Sequence, residues 1–465
     1  MTITQSSLFV LKKLLALPPS NYKTVAKWLV MALLSVTFPV EATDLLGIYH
    51  EAQQYDAAFA SARAAYQAGL EKLPQGRALL LPSVNLRADG NNNDVNTRYD
   101  ANIPGLRGGG YNYNSEVITL SLTQPLYNKE KFSQYGQAKE QIVQAEAQLG
   151  AAQQDLIIRT AQAYFDALLA QNNVDLAGAQ KMAISEQLEQ AKRNFEVGVS
   201  TITDTHEAQA KHDLASAQEI AAKNDLEVKK SVLQKIIGKI PEQLFALGEK
   251  LPLNLPQPDD IAQWMAAAEQ QNLLLQIQRA IVEVAKQDVE RNRGGHYPTV
   301  DLVASYSDNN AGGSIYGVGS DNRTSTVGVQ LNLPLFQGGA INSRVREAEA
   351  NQGKALHDME QAKRQAALDA RQAFLGVASE AAHIRALEQA LVSSLSSLDS
   401  TKIGLEVGVR TNVDVLNAQQ QLYSTRRDLF QARYSYLMNQ LKLKAAVGKL
   451  SEEDLQQINQ WLTNK

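Results

Sequence analysis

The chain contains no cysteine in 465 residues. That excludes a disulfide framework, a thiolate metal site and a lipid anchor on an acylated cysteine. Histidine is scarce: His50, His206, His212, His296, His357 and His383 are scattered, and no pair has the spacing of a zinc motif. The formal net charge is −4, so the basic field of a nucleic-acid binder is missing. There is no Ser-centred elbow, no phosphate-binding glycine loop with a lysine and no HExxH. The glycine runs 108–110 and 312–313 fall in polar loops, where flexibility accounts for them. No enzyme, metal or cofactor is therefore expected. No window past the N-terminal region holds 18 uninterrupted apolar residues, which argues against a helical membrane protein.

What is present begins with an export signal over 1–42. Lys12, Lys13, Lys23 and Lys27 supply positive charge, WLVMALLSVTF over 28–38 an apolar core, and Val40 and Ala42 the small residues before a cut. Eleven apolar residues are too few to span a bilayer as a helix, which takes about 20.

The remainder is written twice, with a period of about 210–216 residues. EVGVSTITDTHEAQ at 196–209 matches EVGVRTNVDVLNAQ at 406–419 in eight of fourteen positions. Pro82 answers Pro298, Gln124-Pro125-Leu126-Tyr127 answers Leu333-Pro334-Leu335-Phe336, and Gly238 answers Gly448. A first repeat is expected over 43–240, a proline-rich extended linker over 241–259, a second repeat over 260–450 and an uninformative tail over 451–465. Each repeat opens with a helical segment (45–72, then 260–292). Two strands follow, separated by a polar loop: 82–90 and 115–124 around 91–114, then 298–307 and 324–333 around 308–323. A very long helix comes next (129–195, then 340–405), and a return helix closes the repeat (203–237, then 413–447).

The strands alternate: Val300, Leu302, Ala304 and Tyr306 share one face, and Val327, Val329, Leu331 and Leu333 another. Nine or ten residues suit a tilted β-span of a bilayer, although a soluble hairpin packed on a core gives the same alternation. Four strands per chain cannot close a pore, and an open edge in lipid leaves backbone groups unpaired. A membrane reading therefore requires several copies around one axis.

No proline lies between Pro125 and Pro241 or after Pro334, and the long segments are rich in Ala, Gln, Glu, Lys and Leu. A seven-residue step runs through Ile142, Leu149, Leu156, Ala163, Ala170, Ala177, Ile184 and Ala191, and again from Ala370 to Leu405. Such a step predicts helices packed along their length. Both long helices end at a glycine break, Val197-Gly198-Val199 and Val407-Gly408-Val409.

At these breaks and their flanks, 195–214 and 398–450, the chain resembles the TolC family of outer-membrane channel-tunnels, and the plan of 43–450 matches throughout. The resemblance implies a mostly α fold with β. Four strands per chain would give a twelve-stranded outer-membrane β-barrel in a homotrimer, embedded in outer-membrane lipid and continuous with a long periplasmic α-helical barrel. It implies an exit duct for type I protein secretion or small-molecule efflux, coupled through a periplasmic adaptor to an inner-membrane transporter. The missing acylation cysteine points toward a non-lipidated member. The tips would close like an iris. Arg410 matches the gate arginine, Asp414 a constriction aspartate, and Thr203 with Asp204 the residues that the arginine bonds. Leu405 stands where an aromatic hydroxyl can join the latch, and Asn417 where a second acidic ring can sit, so a weaker latch and fewer negative charges are expected. Taken alone, Asp204, Arg410 and Asp414 also read as caps beside a glycine turn. The apolar turns of Val197, Gly198, Val199, Val407, Gly408 and Val409 suit a docking surface for the adaptor. The alternative is a periplasmic coiled-coil structural or adaptor protein without a pore.

Overall fold

The computed structural model describes residues 44–100, 108–241, 243–248, 250–314, 316 and 318–463. The signal segment expected over 1–42 lies outside them, as does the middle of the first polar loop, 101–107.

The elements run α1 (Leu45–Tyr55), α2 (Ala57–Leu70), α3 (Lys72–Ala78), β1 (Ser83–Thr97), β2 (Gly109–Tyr127), α4 (Lys129–Glu196), α5 (Ile202–Ile237) and β3 (Ala246–Leu247). The second half continues with α6 (Ile261–Gln271), α7 (Leu273–Gly294), β4 (Thr299–Ala311), β5 (Ser320–Asn332), α8 (Ala340–Glu406), α9 (Asn412–Ala446), α10 (Glu452–Asn459) and β6 (Leu462–Thr463). With 68 and 67 residues, α4 and α8 are each about 100 Å long at 1.5 Å per residue. Among the described residues no helix is long and apolar enough to cross a membrane.

The opening helical segment of each half is broken: 45–72 holds α1 and α2, and the one helix expected over 260–292 is divided into α6 and α7. Asp56 ends α1 and caps α2, its carboxylate accepting the Phe59 amide at 2.7 Å and two Arg159 bonds at 2.9 and 3.1 Å. Asn272 does the same between α6 and α7, accepting the Leu275 amide at 3.1 Å and donating to the Ala446 carbonyl at 2.9 Å. The first break ties the short helices to α4, and the second ties them to the end of α9. The tail is structured too: α10 starts at a Ser451–Asp454 capping box, and β6 pairs with β3 inside the linker. The linker is accordingly not simply extended. Tyr164 donates to the Phe245 carbonyl at 2.9 Å and Tyr436 to that of Asn254 at 2.8 Å, anchoring it to α4 and α9.

Burial is concentrated at mid-length. Leu45, Ile48 and Tyr49 of α1, Leu156, Ile157 and Phe165 of α4, Leu233 of α5, Ile384 of α8, Leu437 of α9 and Leu455 of α10 form one core joining both halves. A fully buried Leu or Ile there contributes about 1.5–3 kcal/mol. Burial pushes the Tyr434 hydroxyl up to about 12; it accepts an Asn172 amide bond at 2.9 Å, and its ring stacks on Phe165. Away from this belt the buried positions of α4 and α8 are largely Ala, such as Ala138, Ala145, Ala348 and Ala355, which add little area but let helices approach closely.

The four long strands form one antiparallel sheet in the order β1-β2-β4-β5. They outrun the alternating segments: β1 has 15 residues and β2 has 19, taking in Asn-rich stretches expected as loop. The register gathers apolar residues on one face. One cross-strand row reads Val84, Leu122, Ala304, Val327, and the adjacent row on the other face reads Asn85, Ser121, Ser305, Thr326. Among the described residues, the outer edges of β1 and β5 have no strand partner.

Candidate functional site

The two helix hairpins turn at the end of the molecule away from the sheet. Gly198 and Gly408 adopt φ of +81° and +79°, a conformation that glycine alone takes without strain. Around each, the chain closes a Schellman motif: Val199 N–H donates to the Asn194 carbonyl at 2.9 Å and Gly198 N–H to that of Phe195 at 3.0 Å. Val409 N–H and Gly408 N–H donate in the same way to Gly404 at 2.9 Å and Leu405 at 3.1 Å.

The return helices then start at matching capping boxes. The Asp204 amide donates to the Thr201 hydroxyl at 3.3 Å, and the Thr201 amide donates to Asp204 Oδ2 at 3.0 Å. In the second hairpin the Asp414 amide reaches the Thr411 hydroxyl at 3.2 Å, and the Thr411 amide reaches Asp414 Oδ2 at 2.9 Å. Both threonine hydroxyls also donate to Oδ2, so the box leaves Oδ1 of each aspartate outside it. The Thr411 backbone amide, then its hydroxyl, and then the Arg410 charge hold the Asp414 carboxyl below the usual carboxylate range. Helix capping is thus one use of both aspartates, and it fixes where the charges stand.

Arg410 is exposed and folds back along α8, its side chain filling the space a Cβ on Gly404 would take. Gly404 is a site residue that sequence reasoning missed; its signal is a glycine one helical turn before a second glycine. Within one chain the described residues show no ion pair between Arg410 and Asp204, and Thr203 is exposed in the first turn of α5. Leu405 is half-buried against Leu398, Val415 and Leu422. Asn417 is exposed and accepts the Lys211 ammonium at 3.4 Å, while the same ammonium donates to Gln420 at 3.0 Å. Lys211 therefore ties the first hairpin to the second. Sequence reasoning missed it as well, although it lies seven residues past Asp204 on one helix face.

Val197, Val199, Val407 and Val409 are 69–75% exposed, the apolar crown of the tip. Close behind it, Ser200 Oγ, Thr205 Oγ1 and both polar atoms of the Asn412 amide are shielded without a hydrogen-bond partner.

The sequence profile of the family described as outer membrane efflux protein matches residues 48–239 and 264–449. The chain is 34% identical over 440 residues to outer membrane protein TolC of Vibrio cholerae, covering 92% of this chain and 96% of that one. It is 35% identical over 420 residues to the alkaline protease secretion protein AprF of Pseudomonas aeruginosa, covering 89% and 86%. Its fold is similar to the crystal structure of the outer membrane protein VceC of Vibrio cholerae, with a TM-score of 0.75 at 20% identity over 87% of this chain and 96% of that one. The two profile matches fall one on each half and leave out the whole linker between them.

Proposed function

We propose, from the premise that this chain belongs to the outer membrane efflux protein family, the TolC family, that three copies assemble into one continuous duct through the outer membrane and periplasm. The chain is a transport protein of the outer membrane rather than an enzyme, and its role is export. The observation carrying the finer reading is the four-stranded sheet with one apolar face and two free edges. In lipid those edges must be paired, and a threefold ring of such sheets gives twelve strands with no edge left. The apolar rows then face lipid, and the Asn, Ser and Thr rows line water. The helical hairpins continue the wall into the periplasm, with their tips as the gate.

At that gate the capping boxes hold Asp414 and Asp204 in place, and the threefold axis repeats each of them three times. The Thr411 box keeps Asp414 ionised at neutral pH, so its ring draws cations into the constriction. Arg410 reaches Asp204 and Thr203 of a neighbouring hairpin when the tip shuts. Such exposed ties are worth about 0–1 kcal/mol each, which suits a latch that must open. Leu405 has no hydroxyl to add to it. Asn417 contributes a neutral ring and carries the Lys211 ammonium, which lowers the negative charge further. The crown of Val197, Gly198, Val199, Val407, Gly408 and Val409 receives a periplasmic adaptor that links the duct to an inner-membrane transporter. Likeness to a protein named for alkaline protease secretion supports protein as a cargo.

Planar-bilayer recording of detergent-extracted protein tests this reading. Discrete, cation-preferring pores are expected from the wild type, and Asp414→Ala should lose most of that preference. Wild-type protein that sediments as a monomer and conducts nothing would refute the duct.

A further inference from the structure

We propose that the free edge of β5 pairs antiparallel with the free edge of β1 of a second copy in one defined register: Leu331 opposite Ala88, Gln330 opposite Asp89 and Asn332 opposite Arg87. The proposal rests on the trimeric duct and adds to it where the copies join.

The register follows from the internal repeat. Adding 216 to each β1 number and 209 to each β2 number converts the β1–β2 pairing into the β4–β5 pairing. Ser83 opposite Thr123 becomes Thr299 opposite Asn332, and Val95 opposite Tyr111 becomes Ala311 opposite Ser320, with every pair between also matching. The two hairpins are therefore copies of one unit. The chain already contains one junction between consecutive units, β2 against β4, with Thr123 opposite Val303, Leu122 opposite Ala304 and Ser121 opposite Ser305. The same offsets applied to that junction move its β2 member onto β5 and its β4 member onto β1. Thr123–Val303 then becomes Asn332–Arg87, Leu122–Ala304 becomes Leu331–Ala88, and Ser121–Ser305 becomes Gln330–Asp89.

Two features agree with this transfer. Side-chain parity survives: Leu331 and Ala88 both lie on the apolar face, whereas Gln330 and Asp89 both lie on the polar one, and a one-residue error would cross them. Exposure also marks what is missing. Leu126 and Tyr127, beside the junction present in the chain, are 52% and 38% exposed, but their counterparts Leu335 and Phe336 are 89% and 87% exposed. The in-chain junction sets Tyr127 opposite Val300 past a bulge. Its equivalent sets Phe336 opposite Val84 of the second copy, itself exposed.

Because the chain has no cysteine, paired substitutions report the register directly. Leu331→Cys with Ala88→Cys in one chain should give covalent dimers and trimers on oxidation. Gln330→Cys with Asp89→Cys should do so on the opposite face. Leu331→Cys with Leu86→Cys, or with Gly90→Cys, slips the pair by two residues, about 7 Å along the strand. That exceeds disulfide reach, so the matched pair should crosslink roughly tenfold more than either slipped pair. Within one chain the two sites lie at opposite sheet edges, three strand spacings or about 14 Å apart sideways, and the row of Ala88 crosses the sheet to Arg323, eight residues along β5 from Leu331, so a bond forms only between copies. Trimers that crosslink best at a slipped pair, or at neither matched pair, overturn the register alone. Uncrosslinked protein sedimenting as a monomer overturns the trimer itself.

Discussion

The two ends of the second return helix, α9, use the same turn in opposite surroundings. At the tip, Gly408 takes its positive φ in open space, where an added Cβ would meet nothing within 4 Å. At the belt, Gly448 has φ +71°, and an added Cβ would collide with the Gln271 carbonyl oxygen at the end of α6. One conformation thus serves two purposes. In the belt, glycine is required by the turn and by neighbours packed onto it. At the tip it is required by the turn alone, and the surroundings are free to move. The belt carries the stability of the chain, whereas the tip has only small side-chain clusters and weak polar ties to rearrange.

The sharpest way to break that comparison is to place a methyl group at each turn. Gly448→Ala adds the left-handed penalty of about 1–2 kcal/mol to a backbone displacement of about 1–3 kcal/mol. It should markedly lower the temperature at which helical circular dichroism is lost. Gly408→Ala incurs the first cost only and should leave assembly intact. Equal losses in the two variants would mean that the tip is packed as tightly as the belt.

Next in size is the belt's ion pair. Asp56→Asn keeps the cap on α2 but removes the charge facing Arg159, at a cost of about 2 kcal/mol. The Arg159 hydrogen bonds hold the Asp56 carboxyl below its usual value, outweighing the burial that raises it. Its stabilisation is therefore complete above the unfolded value of about 4 and lost as pH falls through the lower folded value. Wild type should lose stability on acidification below about pH 4 by more than Asp56→Asn does. Parallel acid profiles would show that this pair is not what secures α1 and α2 to α4.

Much of this contrast was legible in the residues. The repeat, the alternating strands and both glycine turns are local patterns, and each was readable because side-chain period or backbone chirality dictates it. The belt was harder. Asp56 and Asn272 interrupt segments whose composition is helical throughout, and what decides the break is a partner far along the chain, Arg159 or the Ala446 carbonyl. The Asn-rich ends of β1 and β2 have turn composition but become strand because each is the other's ladder partner. The Ser451–Asp454 box was a local signal passed over, and it starts a helix that closes the core. At the tip, Asp204 and Asp414 stood out by their duplication. Lys211 did not, because its counterpart in the second half is Gln421 and its bonds join two hairpins about 200 residues apart in sequence.

The smallest expected effect sharpens the comparison most, since it separates charge from packing at the tip. Among the described residues the Lys211 ammonium hydrogen-bonds to Asn417 and Gln420, both exposed, and such contacts contribute about 0–1 kcal/mol. Lys211→Gln should therefore leave thermal stability within about 0.5 kcal/mol of wild type, in contrast to Asp56→Asn. Its ammonium nonetheless stands one helical turn from the level of Asp414, on the neutral amide of Asn417. In the proposed trimeric duct, removing three ammonium groups from the constriction makes the potential there more negative, so cation preference should rise by roughly a factor of two at low salt and fade as salt screens it. The measurement is the reversal potential across a salt gradient, wild type against Lys211→Gln, at two ionic strengths. A variant that unfolds early would make Lys211 a packing residue and erase the distinction between loose tip and tight belt. A stable variant with unchanged selectivity would move the constriction away from this turn of the helix.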